Sequence, residues 1–254
     1  METISKSGFK YNLNYNYKPD FKFNTICLDN FFSDPDEIRN LGLSVSKEPD
    51  EYGRWPGVRS KNLYEIDQDL HTLFCLKVLS CYYDLRFVDL QWTECISKFQ
   101  VVPYSKESKY IDEGWIHRDY GHDLAGIIYL TPNADLNTGT SLFNLKPSEE
   151  KNYLSFGPQS EKMAFYRDKK SLSENYLKQL KSNNNKFYEK TRFQNVYNRL
   201  IMYDANEYHK ANSFNTGENV DDRMTLVFFF SGIKSEKTKY PIERVKDKEN
   251  FDDA

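Results

Sequence analysis

The stretch Gly114-Trp115-Ile116-His117-Arg118-Asp119 sets an imidazole and a carboxylate two positions apart. In a strand, residues i and i+2 point to one face, so His117 and Asp119 can grip a single ion from a rigid edge. Much further along the chain comes His209, and after it Arg223. A second imidazole brought in from a distant strand completes a two-His, one-carboxylate facial triad, a donor set that leaves positions open on iron(II). The fork of Arg223 suits a carboxylate of a small acid bound at those positions. Taken alone, His-x-Asp has a bland reading too, a half-buried histidine beside a surface acid. The neighbouring sequence decides between them.

Residues 124–130 (Leu-Ala-Gly-Ile-Ile-Tyr-Leu) are a short apolar run of the kind a buried strand needs. Residues 131–139 are dense in turn formers, and 140–143 (Thr-Ser-Leu-Phe) resume an extended pattern. His209 lies just beyond another strand candidate, 199–203 (Arg-Leu-Ile-Met-Tyr). Arg223 opens 223–230 (Arg-Met-Thr-Leu-Val-Phe-Phe-Phe), where β-branched and aromatic residues crowd together. Every candidate residue therefore falls on, or at the end of, an expected strand.

This order of motifs resembles the prolyl-4-hydroxylase-like branch of the iron(II)/2-oxoglutarate-dependent oxygenases, over residues 95 to 232. The family's strand ending in Tyr before its His-x-Asp corresponds to 99–104, which ends in Tyr104. Its Tyr-Leu-Asn and following glycine turn correspond to Tyr129-Leu130-Thr131 and Thr138-Gly139-Thr140, and its Arg-x-Ser/Thr to Arg223-Met224-Thr225. Two departures stand out. The gap from His209 to Arg223 is longer than usual, by a loop at 212–219, and the segment from Tyr104 to His117 is expanded.

The resemblance implies a mainly β fold with flanking helices, its core a double-stranded β-helix of the jelly-roll or cupin-like kind. It also implies iron(II) on His117, Asp119 and His209, and O2 as co-oxidant. The cosubstrate 2-oxoglutarate would be anchored by Arg223 with Tyr129, Thr225 and Tyr104. With a carboxylate at Asp119 the implied outcome is hydroxylation, and the branch suggests a peptidyl (for example prolyl) or amino-acid-like substrate. Two other classes stay open. A cupin-like metalloenzyme without 2-oxoglutarate would not need Arg223, and a non-enzymatic jelly-roll binding module would not need His117.

Several residues carry two readings. Tyr129 is either core packing or a bond to the far carboxylate of the cosubstrate. The loop at 52–59 is either a plain turn or a lid or substrate wall built from Arg54, Trp55 and Arg59. His122 belongs to the turn after the metal strand, at the rim or in contact with substrate. His71 falls in a helical pattern and reads as structural. Lys210, adjacent to His209 in a strand, faces away from it.

At 254 residues the chain is long enough for one well-cored domain. The expected organisation is a supporting segment at 1–98, core strands in 99–145 and 191–232, an insertion at 146–190 and a mobile tail at 240–254. In the first segment, Ser33-Asp34-Pro35-Asp36-Glu37 predicts a helix start, and 67–82 has helical apolar spacing. Residues 171–181 predict a further helix, ending at the asparagines before 185, and 11–17 a strand.

Net charge is −3, with acids interspersed among the basic residues, which argues against nucleic acid and anionic membrane as partners and for a peptide or small molecule. The four cysteines form no Cys-x-x-Cys pair or regular framework, and Cys75 and Cys95 read as small buried hydrophobes. There is neither a Gly-x-Gly-x-x-Gly nor a Walker A loop. With no signal-like N-terminal core and no apolar run of membrane-spanning length, the expected location is a reducing cytoplasm. The Lys-, Asn-, Tyr- and Phe-rich composition is what AT-rich codons produce, so the expected source is viral or bacterial.

Overall fold

The computed structural model describes residues 23–52, 54–86, 89–103, 114–149, 173–217 and 220–235. The strand expected at 11–17, Tyr104 and the tail at 240–254 lie outside the described residues.

Helix α1 (Pro35–Ser44) starts where its signals put it. Asp34 accepts from the Glu37 amide, Pro35 fills the first turn, and Asp36 and Glu37 complement the positive helix end. Next comes a single turn, α2 (Leu63–Ile66), closed by a capping box between Asn62 and Glu65. Asp67 caps α3 (Gln68–Leu79), which buries His71, Phe74, Cys75, Val78 and Leu79 on one side. Late in the chain, Ser173 caps α4 (Glu174–Asn184).

The strands are β1 (Ile26–Leu28), β2 (Lys47–Pro49), β3 (Val58–Ser60), β4 (Leu90–Gln91), β5 (Glu94–Val102) and β6 (Leu124–Tyr129). They continue as β7 (Thr140–Leu145), β8 (Phe187–Phe193), β9 (Leu200–Asp204), β10 (Tyr208–Ala211), β11 (Arg223–Ser231) and β12 (Lys234–Ser235). A seven-stranded sheet runs β1-β9-β6-β11-β5-β3-β2, a three-stranded sheet runs β10-β7-β8, and β12 pairs with β4. All strand pairings are antiparallel. The strand expected at 99–104 begins earlier, at Glu94, and ends at Val102.

Period-two alternation divides the large sheet into two faces. Met224, Leu226, Phe228 and Phe230 of β11 turn outward with Phe99 of β5 and pack under Phe74, Val78 and Leu79 of α3. Phe74 and Phe228 meet edge to face with centroids 5.3 Å apart. Burying each such ring is worth about 1.5–3 kcal/mol. The other face meets the small sheet through Ala125, Tyr129, Leu142, Phe193, Ile201 and Tyr203.

Between β5 and β11 the chain shuttles from sheet to sheet. His117 bridges to β10 of the small sheet, β6 returns to the large one, β7 and β8 lie in the small one, β9 in the large, β10 in the small and β11 in the large. The inward face of β11 thus ends up opposite the edge that carries His117. Among the described residues, no helix is long and apolar enough to cross a membrane.

Candidate metal centre

His117 and His209 are cross-strand partners. Each backbone N–H donates to the other's carbonyl, at 3.1 and 2.9 Å, so both side chains leave the same face. Their rings lie 4.4 Å apart. Asp119 joins them because its amide donates to the Ala205 carbonyl at 2.9 Å, keeping the segment against the turn before β10. Its Oδ2 sits 3.2 Å from His209 Nε2 and its Oδ1 3.7 Å from His117 Nε2.

The imidazoles are oriented by their other nitrogens. His117 Nδ1 bonds the Trp115 carbonyl at 2.7 Å and His209 Nδ1 the Glu207 carbonyl at 3.0 Å. A carbonyl only accepts, so each Nδ1 carries the proton and each Nε2 presents a lone pair toward Asp119. Lone pairs and a carboxylate converging on one point need a cation there, either a proton or a metal. Donors about 2.1 Å from one ion, at right angles, lie about 3 Å apart, close to the separations found here. The three residues fit a metal ion.

Electrostatics agree. Burial alone would push the Asp119 carboxyl up, but His209 and then His117 outweigh it and hold it at about 2. Burial opposes a charged His209, yet the Asp119 charge and hydrogen bond raise it above its ordinary value.

The segment bearing His117 is held by α4. Asn184 accepts from the Ile116 amide and donates to the Gly114 carbonyl, both at 3.1 Å, while Asn183 donates to the Ile116 carbonyl at 3.2 Å. This helix falls within the segment expected as an insertion, and its asparagines read in the sequence only as a helix end.

A cavity of about 560 Å³ opens on these three residues, with Arg223 in its wall. Arg223 is only 3% exposed, and among the described residues it makes a long Nε bond of 3.4 Å to the Thr138 carbonyl. Its guanidinium carbon lies 5.7 Å from the Tyr129 ring centre and 5.8 Å from that of Phe214. Nη2 is buried without a partner among the described residues. Desolvation lowers its pKa, offset in part by Tyr129 and Tyr203. Nearby, the Thr225 hydroxyl is likewise buried and unpartnered among the described residues. Buried donors in this state call for an acceptor, and a carboxylate matches the guanidinium fork.

The alternatives to Arg223 are already engaged. Arg192 pairs with Glu189 at 2.8 Å, and Arg199 bonds Asp29. Tyr129 is fully buried and donates its hydroxyl to Thr140 Oγ1 at 2.9 Å, so packing and a polar role coexist there. Its phenol is pushed up to about 12, chiefly by burial.

The loop at 52–59 does reach the cavity. Trp55 is sandwiched between guanidiniums, with Arg59 4.3 Å and Arg54 4.8 Å from its ring. Arg54 itself is exposed and ion-paired with Asp50 at 2.9 Å. His122 lines the rim, with Nδ1 2.8 Å from Ser231 Oγ and its ring against Phe229; it stands apart from the three converging ligands. Lys210 is buried with its ammonium 5.8 Å from the Phe143 ring.

Residues the sequence did not single out also line the cavity, among them Lys98, Gln100, Trp115, Arg118 and Tyr203. The signal for two of them was available. Lys98 and Gln100 alternate with the core residues Ser97 and Phe99, which marks a strand face turned toward something polar. A second His/Cys group, His71, Cys75 and Cys95, lies sealed beneath α3. There His71 Nε2 bonds the Cys95 carbonyl at 3.2 Å, and burial pushes the Cys95 thiol up, away from the thiolate a metal needs.

A family model described as a family of unknown function (DUF6445) matches residues 20–230. No curated protein sequence matches. Among solved structures, the chain is similar to the carbocyclase SnoK from nogalamycin biosynthesis, described as non-heme and α-ketoglutarate-dependent. Identity is 11%, coverage 91% of this chain and 86% of that one, and the TM-score 0.49. It is also similar to HygX from Streptomyces hygroscopicus with nickel, 2-oxoglutarate and hygromycin B bound, at 11% identity, 82% coverage of each chain and a TM-score of 0.47. A third is a prolyl hydroxylase from Trichoplax adhaerens in complex with a hypoxia-inducible-factor peptide, at 13% identity, 82% and 83% coverage and a TM-score of 0.45.

Proposed function

The chain belongs to DUF6445, and we propose that this member is an iron(II)- and 2-oxoglutarate-dependent oxygenase built on a double-stranded β-helix. One observation carries the reading. A buried arginine without a carboxylate partner among the described residues opens on the same cavity as a His/Asp/His cluster. A metalloenzyme that dispenses with 2-oxoglutarate has no use for Arg223, and a mere binding module has no use for the cluster. The shuttling of β5 to β11 between two sheets is the winding a double-stranded β-helix requires.

His117 and His209 would hold iron through Nε2, oriented by the Trp115 and Glu207 carbonyls, and Asp119 would complete the facial set. Arg223 would bind the distal carboxylate of 2-oxoglutarate, with Thr225 donating beside it and Tyr129 stacked below the guanidinium. Tyr104 is kept as a further contact on the motif resemblance. When bound, the iron and 2-oxoglutarate would, together with O2, supply an oxidant able to take hydrogen from a C–H bond. The chain's own contribution is placement and dryness. Tyr203, Ile127, Val227 and Phe229 give the cavity an apolar wall, which would limit water around the reacting groups once cosubstrate and substrate fill it. Arg54, Trp55, Arg59 and His122 face the remaining space, where a substrate would lie. Hydroxylation of a peptidyl or amino-acid-like substrate follows from the motif resemblance.

The test is aerobic release of labelled carbon dioxide from carboxyl-labelled 2-oxoglutarate by the iron-loaded protein, with succinate as the matched product. Iron-dependent release that disappears in Arg223→Met is the expected result. Iron-loaded protein that neither retains nor decarboxylates 2-oxoglutarate would overturn the assignment.

A further inference from the structure

The cavity has a charge imbalance that the metal and the cosubstrate do not use up. Among the described residues, Arg54, Arg59, Lys98, Arg118 and Arg223 line it, against Asp119 as the lining carboxylate. The whole chain, by contrast, carries −3. A divalent metal on Asp119 makes the imbalance larger. Arg223 is spoken for by the cosubstrate and Arg54 by Asp50, and Arg118 lies over the Tyr120 and Tyr208 rings while bonding the Tyr120 hydroxyl. Arg118 keeps its charge, but Arg59 and Lys98 are the pair that adjacent strands of one sheet, β3 and β5, bring side by side.

Arg59 is held for a purpose other than an ion pair. Its Nε and Nη2 both donate to Gln100 Oε1, at 3.2 and 3.0 Å, and Gln100 is fixed in turn by donating to the Pro56 carbonyl at 2.8 Å. The guanidinium lies over Trp55, its Cζ 4.3 Å from the ring centre. No carboxylate among the described residues pairs with Arg59 or with Lys98. Lys98 stands two residues before Gln100 on the same inward face of β5, and Arg59 is Gln100's cross-strand partner on β3. Both cations therefore face the cavity from adjacent rungs. Trp55 adds a donor, since its indole Nε1 is buried with no acceptor among the described residues. Burial lowers the Arg59 pKa to about 10, eased mainly by the charge of Asp119, so the guanidinium stays charged at neutral pH and lies within electrostatic reach of the metal centre.

We propose that Arg59, Lys98 and the Trp55 indole N–H form an anion subsite that selects a substrate bearing a carboxylate or phosphate group, held beside the metal centre. The inference names the substrate class for the oxygenase reading and rests on it. A guanidinium fixed by Gln100 and Trp55, a second cation from the adjacent rung and a neutral donor suit a small charged group better than a neutral amide or a bare apolar chain. A peptide substrate would present a side-chain or terminal carboxylate here, and a metabolite its acid or phosphate.

The test is calorimetric titration of the full chain, loaded anaerobically with iron(II) and saturated with 2-oxoglutarate, using benzoate, phenyl phosphate and the neutral isostere benzamide. Both anions are expected to bind more tightly than benzamide, by on the order of ten- to a hundredfold. Arg59→Met should erase that preference while leaving 2-oxoglutarate affinity unchanged, and Arg59→Lys should retain part of it. The stronger of the two anions identifies the group. Equal binding of benzamide and the anions, or loss of 2-oxoglutarate affinity in Arg59→Met as large as in Arg223→Met, would overturn the subsite. Repeating the titration on metal-free Arg223→Met protein separates the two claims. An Arg59-dependent anion preference that persists there stands even if the iron-loaded wild type fails to bind 2-oxoglutarate.

Discussion

His117 and His209 exchange both backbone hydrogen bonds across an isolated antiparallel bridge, so one rung positions two imidazoles on one face. The geometry of the centre is therefore set by the main chain before any ion arrives. Asp119 closes the set from the next inward position, and the Nδ1 bonds to Trp115 and Glu207 fix which nitrogen is offered.

Removing either imidazole should abolish high-affinity iron binding while the sheets stay intact. Two ligands hold a labile divalent ion poorly. Metal analysis of His117→Ala and His209→Ala after dialysis, with circular dichroism alongside, is expected to show iron near background and an unchanged spectrum. Near-normal iron in both variants would sink the ligand assignment.

Arg223→Met should separate the cosubstrate from the metal. Iron content is expected to stay close to wild type, whereas the 2-oxoglutarate requirement rises by on the order of tenfold to a thousandfold, the loss of a buried charge-assisted carboxylate contact. Equilibrium dialysis with labelled 2-oxoglutarate reads it directly. An unchanged affinity would exclude Arg223 as the anchor.

Asn184 is a positioning residue, since it touches the His117 strand and not the centre. Asn184→Ala leaves the Ile116 amide and the Gly114 carbonyl without their partner. Iron affinity should fall by roughly ten- to a hundredfold, as when the residues that orient a metal ligand are lost. Asn184→Asp can still accept from Ile116 and should recover part of it. Competition with a chelator measures both, and identical losses in the two variants would contradict the clamp.

Acid should loosen the loop that carries Trp55 and Arg59. Burial pushes the Asp50 carboxyl up, but the Arg54 side-chain and backbone bonds outweigh it and hold the carboxyl below its ordinary 3.8. A carboxyl depressed in the folded state stabilises the protein above about pH 4, and that contribution fades as pH falls through the folded value. Asp50→Asn should therefore melt below wild type at neutral pH and converge with it at the acid end. A gap between the two melting curves that stays constant with pH would show that the pair does not titrate in this way.

The convergence of His117, Asp119 and His209 was legible because it depends on short-range rules, the close spacing of His117 and Asp119 and the apolar strands flanking His209 and Arg223. So were α1 and α3, whose caps and apolar spacing are local. The small sheet was harder. In β8 (Phe187–Phe193) only the end residues are buried, and the charged middle shows no alternation to read. In β10 (Tyr208–Ala211) four residues are too few for a pattern, and pairing of His209 with Leu142 of β7 makes the strand. The Asn183–Asn184 clamp escaped for a different reason. Asparagines after a helical run look like a helix end, and only the tertiary packing of α4 reveals what they bond.

The central claim is that one iron and one 2-oxoglutarate share this cavity, and an anaerobic visible-absorption titration tests it most directly. Iron(II) alone should bind once per chain without a visible band. Adding 2-oxoglutarate should then produce a charge-transfer band that saturates at one equivalent and fails to form in Arg223→Met. Stoichiometric iron with no 2-oxoglutarate-dependent band would contradict the account.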